Sequence, residues 1–522
     1  MKKLIVIVLT LISQLAVGQS WQWAKQFSQQ PNPNSTDELS LYDLKISSSG
    51  NVYATGSFKN NFVYDGITYN GFPDLTKADI FLGKFDANGN AIWIKTLGSS
   101  GGDLPEAIAL DNNENVYLVG RIQGTCDFGG GYSLNTLGGQ DAFIAKYNSS
   151  GVIQWAKAVA YGTANDRMIG ITIGADGNIY TTGMTQSGGS VGYDFTVGDG
   201  TTGTTYTNTD KNSDLYLASY TASGTYRWSK QIPCNGNNSI FRAITCDDNN
   251  NIYAGGALIG TMTINGLDYT SVGVGDIIML KASPTDGTAE WVRKGGSSQN
   301  DQLNNIVVYD NYSYLIGYIQ GTGTIDSTAT KQSSNFTTAG SNDIFVAKYN
   351  LEGRLLWKKT IGSNGEDVGY GLNVYNNILV AAGYFANTVN FNLNSITSGG
   401  VTDAAFFVFD VESNAVLAKS VSGTLEERGQ GVALDNDYNV YLGGYFKSPT
   451  LTVGSLTPLS NSSSTFNDLF LAKYHNEFTA TFTNKKNVSC NGGSNGELTV
   501  TPYFGIPPYT YTWLKNSAAY AA

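Results

Sequence analysis

Histidine and cysteine are scarce in this sequence of 522 residues, which contains one His, His475, and four Cys. A Ser–His mechanism needs a histidine beside its nucleophile, and a tetrahedral zinc site needs several Cys or His ligands, so the sequence argues against both. Four cysteines do not make a disulfide framework in a chain of this length. The sequence leaves open whether Cys234 and Cys246 pair, so stability must come from a hydrophobic core.

Positive charge is also in short supply, because 31 Lys and Arg stand against 42 Asp and Glu, for a net charge of −11. Nucleic acids and anionic lipid surfaces are recognised by clustered basic residues. Neither is therefore a predicted partner.

A long apolar run is found at residues 4–15, after two lysines and before the small residues Ala16 and Gly18. This pattern predicts a secretory signal peptide over residues 1–18. The run is shorter than the ~20 residues of a membrane span, and no later stretch is apolar enough to cross a bilayer. The mature chain is predicted to be exported and not inserted in a membrane.

Helical periodicity is absent throughout. Short runs rich in Val, Ile, Tyr, Phe and Thr are instead separated by Gly, Asn, Asp and Ser, and the chain contains 62 Gly and 32 Tyr. These features predict an all-β fold.

Three separate signatures each recur seven times along the chain. An Asp that begins an alternating strand stands at Asp79, Asp141, Asp214, Asp276, Asp343, Asp403 and Asp468. A strand-ending glycine, as in "NVYATG", stands at Gly56, Gly120, Gly183, Gly256, Gly317, Gly383 and Gly444. A Trp two residues before a basic residue stands at Trp23, Trp93, Trp155, Trp228, Trp291 and Trp357, with Leu417 as a degenerate seventh. The glycines recur every 61–73 residues, which predicts a seven-bladed β-propeller with four-stranded blades over residues 19–477.

The order of the signatures predicts how this propeller closes. Trp23 comes before any other strand of its own blade, and the strand that begins at Asp468 has no Trp of its own after it. We therefore expect residues 21–27 to form the outer strand of the last blade, which removes an exposed sheet edge.

The four strands of the second blade are predicted at about residues 107–110, 116–122, 142–147 and 152–158. Between its second and third strands each blade carries a variable insert. Two inserts contain hairpin signals, at Asp65-Gly66 and Asn265-Gly266.

The repeats resemble the bacterial β-propeller repeat family often called SBBP, whose blades carry a "GN-x-Y-x-x-G" strand and a "DaF-x-aK" strand. The resemblance covers residues 21–475 and rests on seven copies in phase. Ile278 and Ala405 depart from the aromatic of the Asp strand, and Ser219 and Val408 depart from its lysine.

A different pattern begins after residue 477. Cys490, Gly492-Gly493, Gly496, Pro507-Pro508-Tyr509 and Trp513 stand where the SprB-type repeat of exported Bacteroidetes surface proteins places them. The resemblance implies a partial, Ig-like β module at residues 478–522, export by the type IX route and display at, or release from, the surface of a gliding cell. We expect the natural protein to continue with further repeats.

An acidic residue 16–19 positions before the strand-ending glycine is the strongest candidate ligand set, namely Asp37, Asp103, Asp166, Asp301, Asp367 and Glu427. The connections that carry these residues should converge on one mouth of the central channel, where carboxylates could bind a cation or a polar ligand. The structural alternative is that each accepts hydrogen bonds from backbone N–H groups of the neighbouring blade.

Three loops, "DNNEN" (111–115), "DDNNN" (247–251) and "DNDYN" (435–439), place oxygen atoms at alternate positions, as calcium loops do. They lack the Gly and Glu of an EF-hand, and Asn and Asp are favoured at tight hairpins. The sequence predicts turns and no cofactor, with structural calcium as the alternative.

Residues that recur in every blade are expected to stabilise the fold of the blade. Function is therefore expected in the inserts, above all in residues 186–213 with Tyr193, Phe195 and Tyr206. The sequence predicts a secreted or cell-surface adhesin or binding scaffold, without enzymatic activity, that presents insert loops to a glycan or a surface protein. The alternative is a carboxylate-based polysaccharide hydrolase or lyase at the channel mouth, for which Glu366-Asp367 and Glu426-Glu427 are candidate acids. In a third interpretation, the propeller is only a spacer.

Overall fold

The fold is a set of antiparallel β-sheets. The computed structural model describes residues 19–29, 39–72, 74, 76–162, 165–186, 193–209, 212–236, 238–326, 335–391, 394–461, 466–476, 479–486, 497–503, 513–515 and 518–520. Residues 1–18, the predicted signal peptide, lie outside the described residues. Within the described ranges, we find no helix with the length and hydropathy of a membrane span.

All regular elements of the described chain are strands, which confirms the all-β prediction. The strands up to residue 162 are β1 (Ser20–Gln29), β2 (Ser40–Ile46), β3 (Val52–Lys59), β4 (Asn61–Tyr64), β5 (Ile67–Asn70), β6 (Ala78–Phe85), β7 (Ala91–Leu97), β8 (Leu104–Leu110), β9 (Val116–Ile122), β10 (Thr125–Asp127), β11 (Ser133–Asn135), β12 (Asp141–Tyr147) and β13 (Ile153–Gly162). The strands from residue 165 to 361 are β14 (Asn165–Ile173), β15 (Ile179–Gln186), β16 (Tyr193–Gly198), β17 (Gly203–Asn208), β18 (Asp214–Tyr220), β19 (Tyr226–Ile232), β20 (Ile240–Cys246), β21 (Ile252–Leu258), β22 (Thr261–Ile264), β23 (Leu267–Thr270), β24 (Asp276–Ala282), β25 (Ala289–Ser297), β26 (Gln302–Tyr309), β27 (Tyr312–Thr324), β28 (Asn335–Asn350) and β29 (Leu355–Ile361). The later strands are β30 (Val368–Tyr375), β31 (Ile378–Phe385), β32 (Thr388–Phe391), β33 (Asn394–Thr397), β34 (Asp403–Asp410), β35 (Ala415–Val421), β36 (Glu427–Leu434), β37 (Val440–Phe446), β38 (Thr450–Leu451), β39 (Leu459–Ser460), β40 (Asp468–His475), β41 (Thr479–Lys486), β42 (Glu497–Tyr503), β43 (Trp513–Lys515) and β44 (Ala518–Tyr520).

Strand pairing in the described chain groups these elements into four-stranded antiparallel units, each in the order first, second, third and fourth strand. Units 1 to 7 are β2-β3-β6-β7, β8-β9-β12-β13, β14-β15-β18-β19, β20-β21-β24-β25, β26-β27-β28-β29, β30-β31-β34-β35 and β36-β37-β40-β1. The second and third strands are buried along nearly their whole length, because both faces of each sheet pack on neighbouring units.

The N-terminal strand β1 belongs to unit 7, as the order of the signatures predicted. It pairs with β40 from Ser20↔His475 to Phe27↔Leu469. The indole N–H of Trp23 donates to the carbonyl of Ala87 in unit 1, at 3.0 Å.

The first strands contact one another in cyclic order: β2 with β8, β8 with β14, β14 with β20, β20 with β26, β26 with β30, β30 with β36, and β36 with β2. Together they surround a central cavity of about 650 Å³, which is lined by residues of all seven units.

Five of the six repeated tryptophans link their outer strand to the next unit through a hydrogen bond. The indole N–H groups donate to the turn between the third and fourth strands of that unit, as in Trp23→Ala87, Trp93→Ser149, Trp228→Pro284, Trp291→Leu351 and Trp357→Val411, all at 3.0–3.1 Å.

The inserts between second and third strands form hairpins that lie on the outer strand of the preceding unit. Hairpin β4–β5 pairs with β1, β16–β17 with β13, and the extension of β27–β28 with β25. The others reach the preceding unit through the bridges Gly98↔Asp127, Cys234↔Met262 and Ser422↔Thr452 and through the contact of β32 with β29. The two predicted hairpins turn at Asp65 and Asn265, which both have positive φ.

The strands after residue 478 pair among themselves, β41 with β42 and β43 with β44. The assignment of this segment to an Ig-like module stays a prediction. Cys234 and Cys246 do not form a disulfide with each other.

Residue Phe27 provides a test of the β1 pairing. Its ring is 2% exposed and packs on Tyr64, Phe62 and Phe81, which belong to the neighbouring unit. Phe27→Ala should lower the free energy of unfolding by about 3–5 kcal/mol, measured by urea denaturation. The matched variant Ile67→Ala, at a hairpin tip with 57% exposure, should change it by less than about 0.5 kcal/mol. Equal effects would contradict the packing of β1.

Candidate functional site at the mouth of the central cavity

A β-bulge occurs at the same place in the first strand of every unit. The pairing with the second strand skips one residue, and the skipped residues are Tyr42, Glu106, Ile169, Arg242, Asn304, Tyr370 and Gln430. A bulge leaves one residue out of the ladder and redirects its side chain. All seven of these residues line the central cavity.

The repeated glycine is explained by this bulge. A Cβ on Gly120 would lie 2.1 Å from the carbonyl oxygen of Leu104, and a Cβ on Gly256 would lie 1.9 Å from that of Ile240. The glycines of the other units meet the first strand in the same way, at 1.9–2.6 Å. Only a residue without a Cβ permits this close approach.

The bulge residues are the variable part of an otherwise repeated frame. They comprise six residue types in seven units, whereas the glycine opposite is invariant among the units. The mouth of the cavity is therefore asymmetric, and its sides carry different types of side chain.

Arginines crowd the side formed by units 2, 3 and 4. We name Arg121, Arg167 and Arg242 the arginine arc. Their nearest described carboxylate is Glu106, whose Oε1 lies 3.6 Å from Arg121 Nη1 and 3.8 Å from Arg167 Nη1. Burial raises the pKa of Glu106, and the three arginines oppose that rise. Burial lowers the pKa of Arg167, and Arg121 and Arg242 lower it further.

Tyrosines occupy the opposite side, formed by units 5, 6 and 7. We name Tyr318, Tyr370, Tyr384 and Tyr445 the tyrosine arc. Tyr318 and Tyr370 are partly exposed, and Tyr318 Oη accepts from Asn300 Nδ2 at 2.8 Å. Tyr384 and Tyr445 are buried, with the guanidinium of Arg428 4.4 Å from the ring of Tyr384.

Arg428 differs from the arginine arc because it has a close acidic partner. Glu426 forms ion pairs with both Arg428 and Lys447 and accepts from Tyr445 Oη. Lys447 and the other donors hold the pKa of Glu426 below its usual value, against the effect of burial.

The predicted acidic ligands lie elsewhere. Asp103, Asp166, Asp301, Asp367 and Glu427 are all 0% exposed and lie in the junctions between units. Their backbone N–H groups donate to the carbonyl that precedes the third-strand Asp of the previous unit, as in Asp103→Ala78, Asp166→Gln140, Asp301→Gly275, Asp367→Asn342 and Glu427→Thr402.

The carboxylates of this set accept mainly backbone donors. Asp301 accepts from the N–H groups of Ser297 and Gln320, and Asp367 accepts from those of Ser363 and Ala386. Asp166 is the exception, because neither of its oxygens has a hydrogen-bond partner in the described chain. These contacts correspond to the structural alternative and give no access to a ligand.

The position of Asp37 lies outside the described residues, and unit 1 has Leu39, 0% exposed, at the place that the acids occupy in other units. Unit 4 has the buried Ser239 there, whose hydroxyl bonds the backbone of Ile259. Among the described residues, five junctions therefore hold two carboxyls each and two junctions hold one.

Tyr193, Phe195 and Tyr206 are not an exposed stacking platform, and this part of the prediction is wrong. Tyr193 and Phe195 are 8% and 1% exposed and pack in the core between units 2 and 3, where Tyr206 contacts them from a half-buried position. Tyr193 and Phe195 are buried because the insert continues the sheet of unit 2, with β16 paired to β13 and β17 at the exposed edge.

The Asn- and Asp-rich loops are tight turns. Asp111 Oδ1 accepts from the N–H groups of Asn113 and Asn115, and its Oδ2 accepts from Asn115 Nδ2 and Tyr117 Oη. Asp247 and Asp435 have the same contacts in their own units. These carboxylate oxygens already accept hydrogen bonds from backbone and side-chain groups of the chain itself. No group of three or more His, Cys, Asp or Glu suited to a metal occurs in the described ranges.

Sequence reasoning missed the bulge residues. The signal was present, since each described acidic residue of the junction set is followed three positions later by a residue that differs from unit to unit. The repeated carboxylates were predicted as ligands because they recur at one position, whereas the bulge residues differ from unit to unit.

Comparison with known proteins gives a family match for the C-terminal segment and only low sequence identity for the rest of the chain. The sequence model of the SprB repeat family matches residues 482–518, as predicted. The chain is 22% identical over 384 residues to "Uncharacterized WD repeat-containing protein L264" of Acanthamoeba polyphaga mimivirus, covering 61% of this chain and 27% of that protein. It is 24% identical over 346 residues to "Regulatory protein FlaEY" of Caulobacter vibrioides, covering 63% of this chain and 34% of that protein. The chain thus spans about a third or less of the length of these relatives.

Solved structures resemble the chain only distantly. A quinohemoprotein alcohol dehydrogenase from Comamonas testosteroni is 9% identical with a TM-score of 0.35, over 90% of this chain and 79% of that one. A protein of unknown function from Dyadobacter fermentans is also 9% identical, with a TM-score of 0.37, over 72% of this chain and 94% of that one.

Replacement of a repeated glycine tests the origin of the bulge. Gly120→Ala should lower the free energy of unfolding by about 3 kcal/mol, because its Cβ meets the backbone of β8. The control Gly102→Ala, whose Cβ has no atom closer than 3.9 Å, should be nearly neutral in the same urea titration. A well-tolerated Gly120→Ala would show that the bulge does not need glycine.

The buried junction carboxyls should make stability fall as pH rises. Burial raises the pKa of Asp79 and Glu427 to about 7 and that of Asp103, Asp141, Asp367 and Asp403 to about 6. A raised pKa in the folded state contributes stability below the unfolded value near 4, and this contribution is lost as pH passes through 6–7.

We expect the melting temperature to be higher at pH 5 than at pH 8, as measured by calorimetry. Asp103→Asn should weaken this dependence by removing one titrating group, and the exposed Asp65→Asn should leave it unchanged. A melting temperature that rises from pH 5 to pH 8 would refute the assignment.

Proposed function

We propose that the seven units are the blades of a closed propeller and that the protein is a secreted or cell-surface binding scaffold, whose ligand enters the mouth of the central cavity. The observation that carries this proposal is the set of seven bulges. They bring dissimilar side chains to one mouth while the rest of each blade repeats. A rigid ring that holds a few polar and aromatic groups around a cavity is a usual arrangement for a binding site.

A surface location is supported by the SprB repeat at residues 482–518, since such repeats are typical of Bacteroidetes cell-surface proteins. Export through the predicted signal peptide and a role in adhesion or gliding belong to the same proposal. An extracellular glycan or surface protein remains the proposed class of partner.

The proposed site differs from the insert loops expected from the sequence. The inserts lie against the outer strands of preceding units, and several of their aromatics are buried, as for Phe62, Phe195 and Phe391, whereas Tyr132 is 41% exposed. Their role is to hold neighbouring blades together, so they offer fewer groups for recognition than the mouth does.

A carboxylate-based hydrolase is the second candidate, favoured by one observation. Glu106, whose pKa is raised by burial, and Asp43 both line the cavity, and two carboxyls of unlike environment are what glycoside hydrolysis needs. The acids expected from the sequence, Asp367 and Glu427, are buried in junctions instead. Release of reducing sugar that is lost in Glu106→Gln would establish this candidate.

The binding proposal is tested with a glycan array and a panel of surface proteins from the same cells. Tyr370→Ala and Gln430→Ala should each weaken the strongest interaction about tenfold, because both residues line the cavity. The matched variants Ile67→Ala and Leu267→Ala, at exposed insert tips, should not. Binding that depends on the tips and not on the cavity would contradict the proposal.

A further inference from the structure

The arginine arc carries more positive charge than its surroundings balance. Three guanidinium groups face one carboxylate, Glu106, and the two shortest separations of 3.6 and 3.8 Å are longer than a hydrogen bond. The Nε atoms of Arg121 and Arg167 are buried and have no hydrogen-bond partner in the described chain. A buried donor of a charged group without a partner is costly, so these groups indicate an unfilled requirement for an acceptor.

The contrast with other basic residues of the chain strengthens this point. Lys84 and Lys447 have a carboxylate oxygen within hydrogen-bond distance, and so does Arg428, although its Nε is also buried without a partner in the described chain. In a protein of net charge −11, acidic partners are plentiful. Lys45, the other basic residue that lines the cavity, is paired with Asp43 at 2.7 Å, whereas Arg242 is exposed there and forms no ion pair in the described chain.

We propose that the cavity mouth binds an acidic saccharide, whose carboxylate is held by the arginine arc while its sugar ring lies against Tyr318 and Tyr370, the partly exposed members of the tyrosine arc. The proposal deepens the binding function proposed above and rests on it. Guanidinium groups hold planar carboxylates through paired N–H donors.

The tyrosine arc distinguishes a saccharide from a bare oxyanion. Inorganic phosphate or sulfate would use the arginine arc alone. The partly exposed rings of Tyr318 and Tyr370 provide an apolar face and a hydroxyl, which suits a sugar. Gln430 lines the same cavity and adds an amide group, whose oxygen has no hydrogen-bond partner in the described chain.

The test is a calorimetric titration of the full chain with trigalacturonate, with maltotriose as a neutral saccharide of equal length, and with inorganic phosphate. We expect trigalacturonate to bind at least tenfold more tightly than either of the others, with an affinity that falls as salt is added.

Arg242→Gln and Arg167→Gln should each weaken trigalacturonate binding tenfold or more. The control Arg354→Gln removes the same charge from an exposed turn and should leave the affinity within about twofold. The melting temperature of Arg242→Gln should be unchanged or higher, because like charges are relieved, whereas a purely structural arginine would lower it when replaced.

Three outcomes would overturn the proposal. One is absence of trigalacturonate binding to the wild-type chain, and a second is phosphate binding as tight as that of trigalacturonate. The third is maltotriose binding that Tyr370→Ala abolishes and Arg242→Gln leaves intact, which would reject the acidic ligand while retaining a binding function at the mouth.

Discussion

The junction between neighbouring sheets is the contact on which the rest of the structure depends. At five junctions the N–H of an acidic residue bonds the carbonyl just before the third-strand Asp, so the start of one first strand is fixed to the preceding unit. The insert hairpins and the tryptophan N–H groups repeat the same connection farther out. These contacts hold neighbouring units in alignment, so the first strands can bulge toward the cavity without loss of that alignment.

Much of the strand arrangement could be predicted from the sequence. The repeated Asp, Gly and Trp positions lead to units of four strands and to the pairing of β1 with β40, because each repeated residue performs one local task in every unit. The strands predicted in the second blade differ most from the observed ones at the start of β8, by three residues, and at the end of β13, by four, and the other ends agree within one residue. The turns at Asp65 and Asn265 followed from ordinary hairpin chemistry.

Most of the candidate site could not be predicted from the sequence. A carboxylate that repeats in six units has the appearance of a ligand ring, but the depth at which it lies is decided by packing between sheets that are distant in sequence. The burial of Phe195 has the same origin, since the outer edge of unit 2 receives the insert of unit 3. The bulge residues were not predicted because their residue type changes from unit to unit, and the repeated glycine that accompanies each bulge lies on the opposite strand.

The position of β40 has a mechanical consequence. This strand leads into the C-terminal segment, and it lies between β37 and β1 with hydrogen-bond ladders on both of its edges. Tension transmitted along the chain from the C-terminal side therefore acts on an interior strand, and two ladders must shear together before it can be extracted. A ring whose last segment ended at a sheet edge would instead unzip one bond at a time.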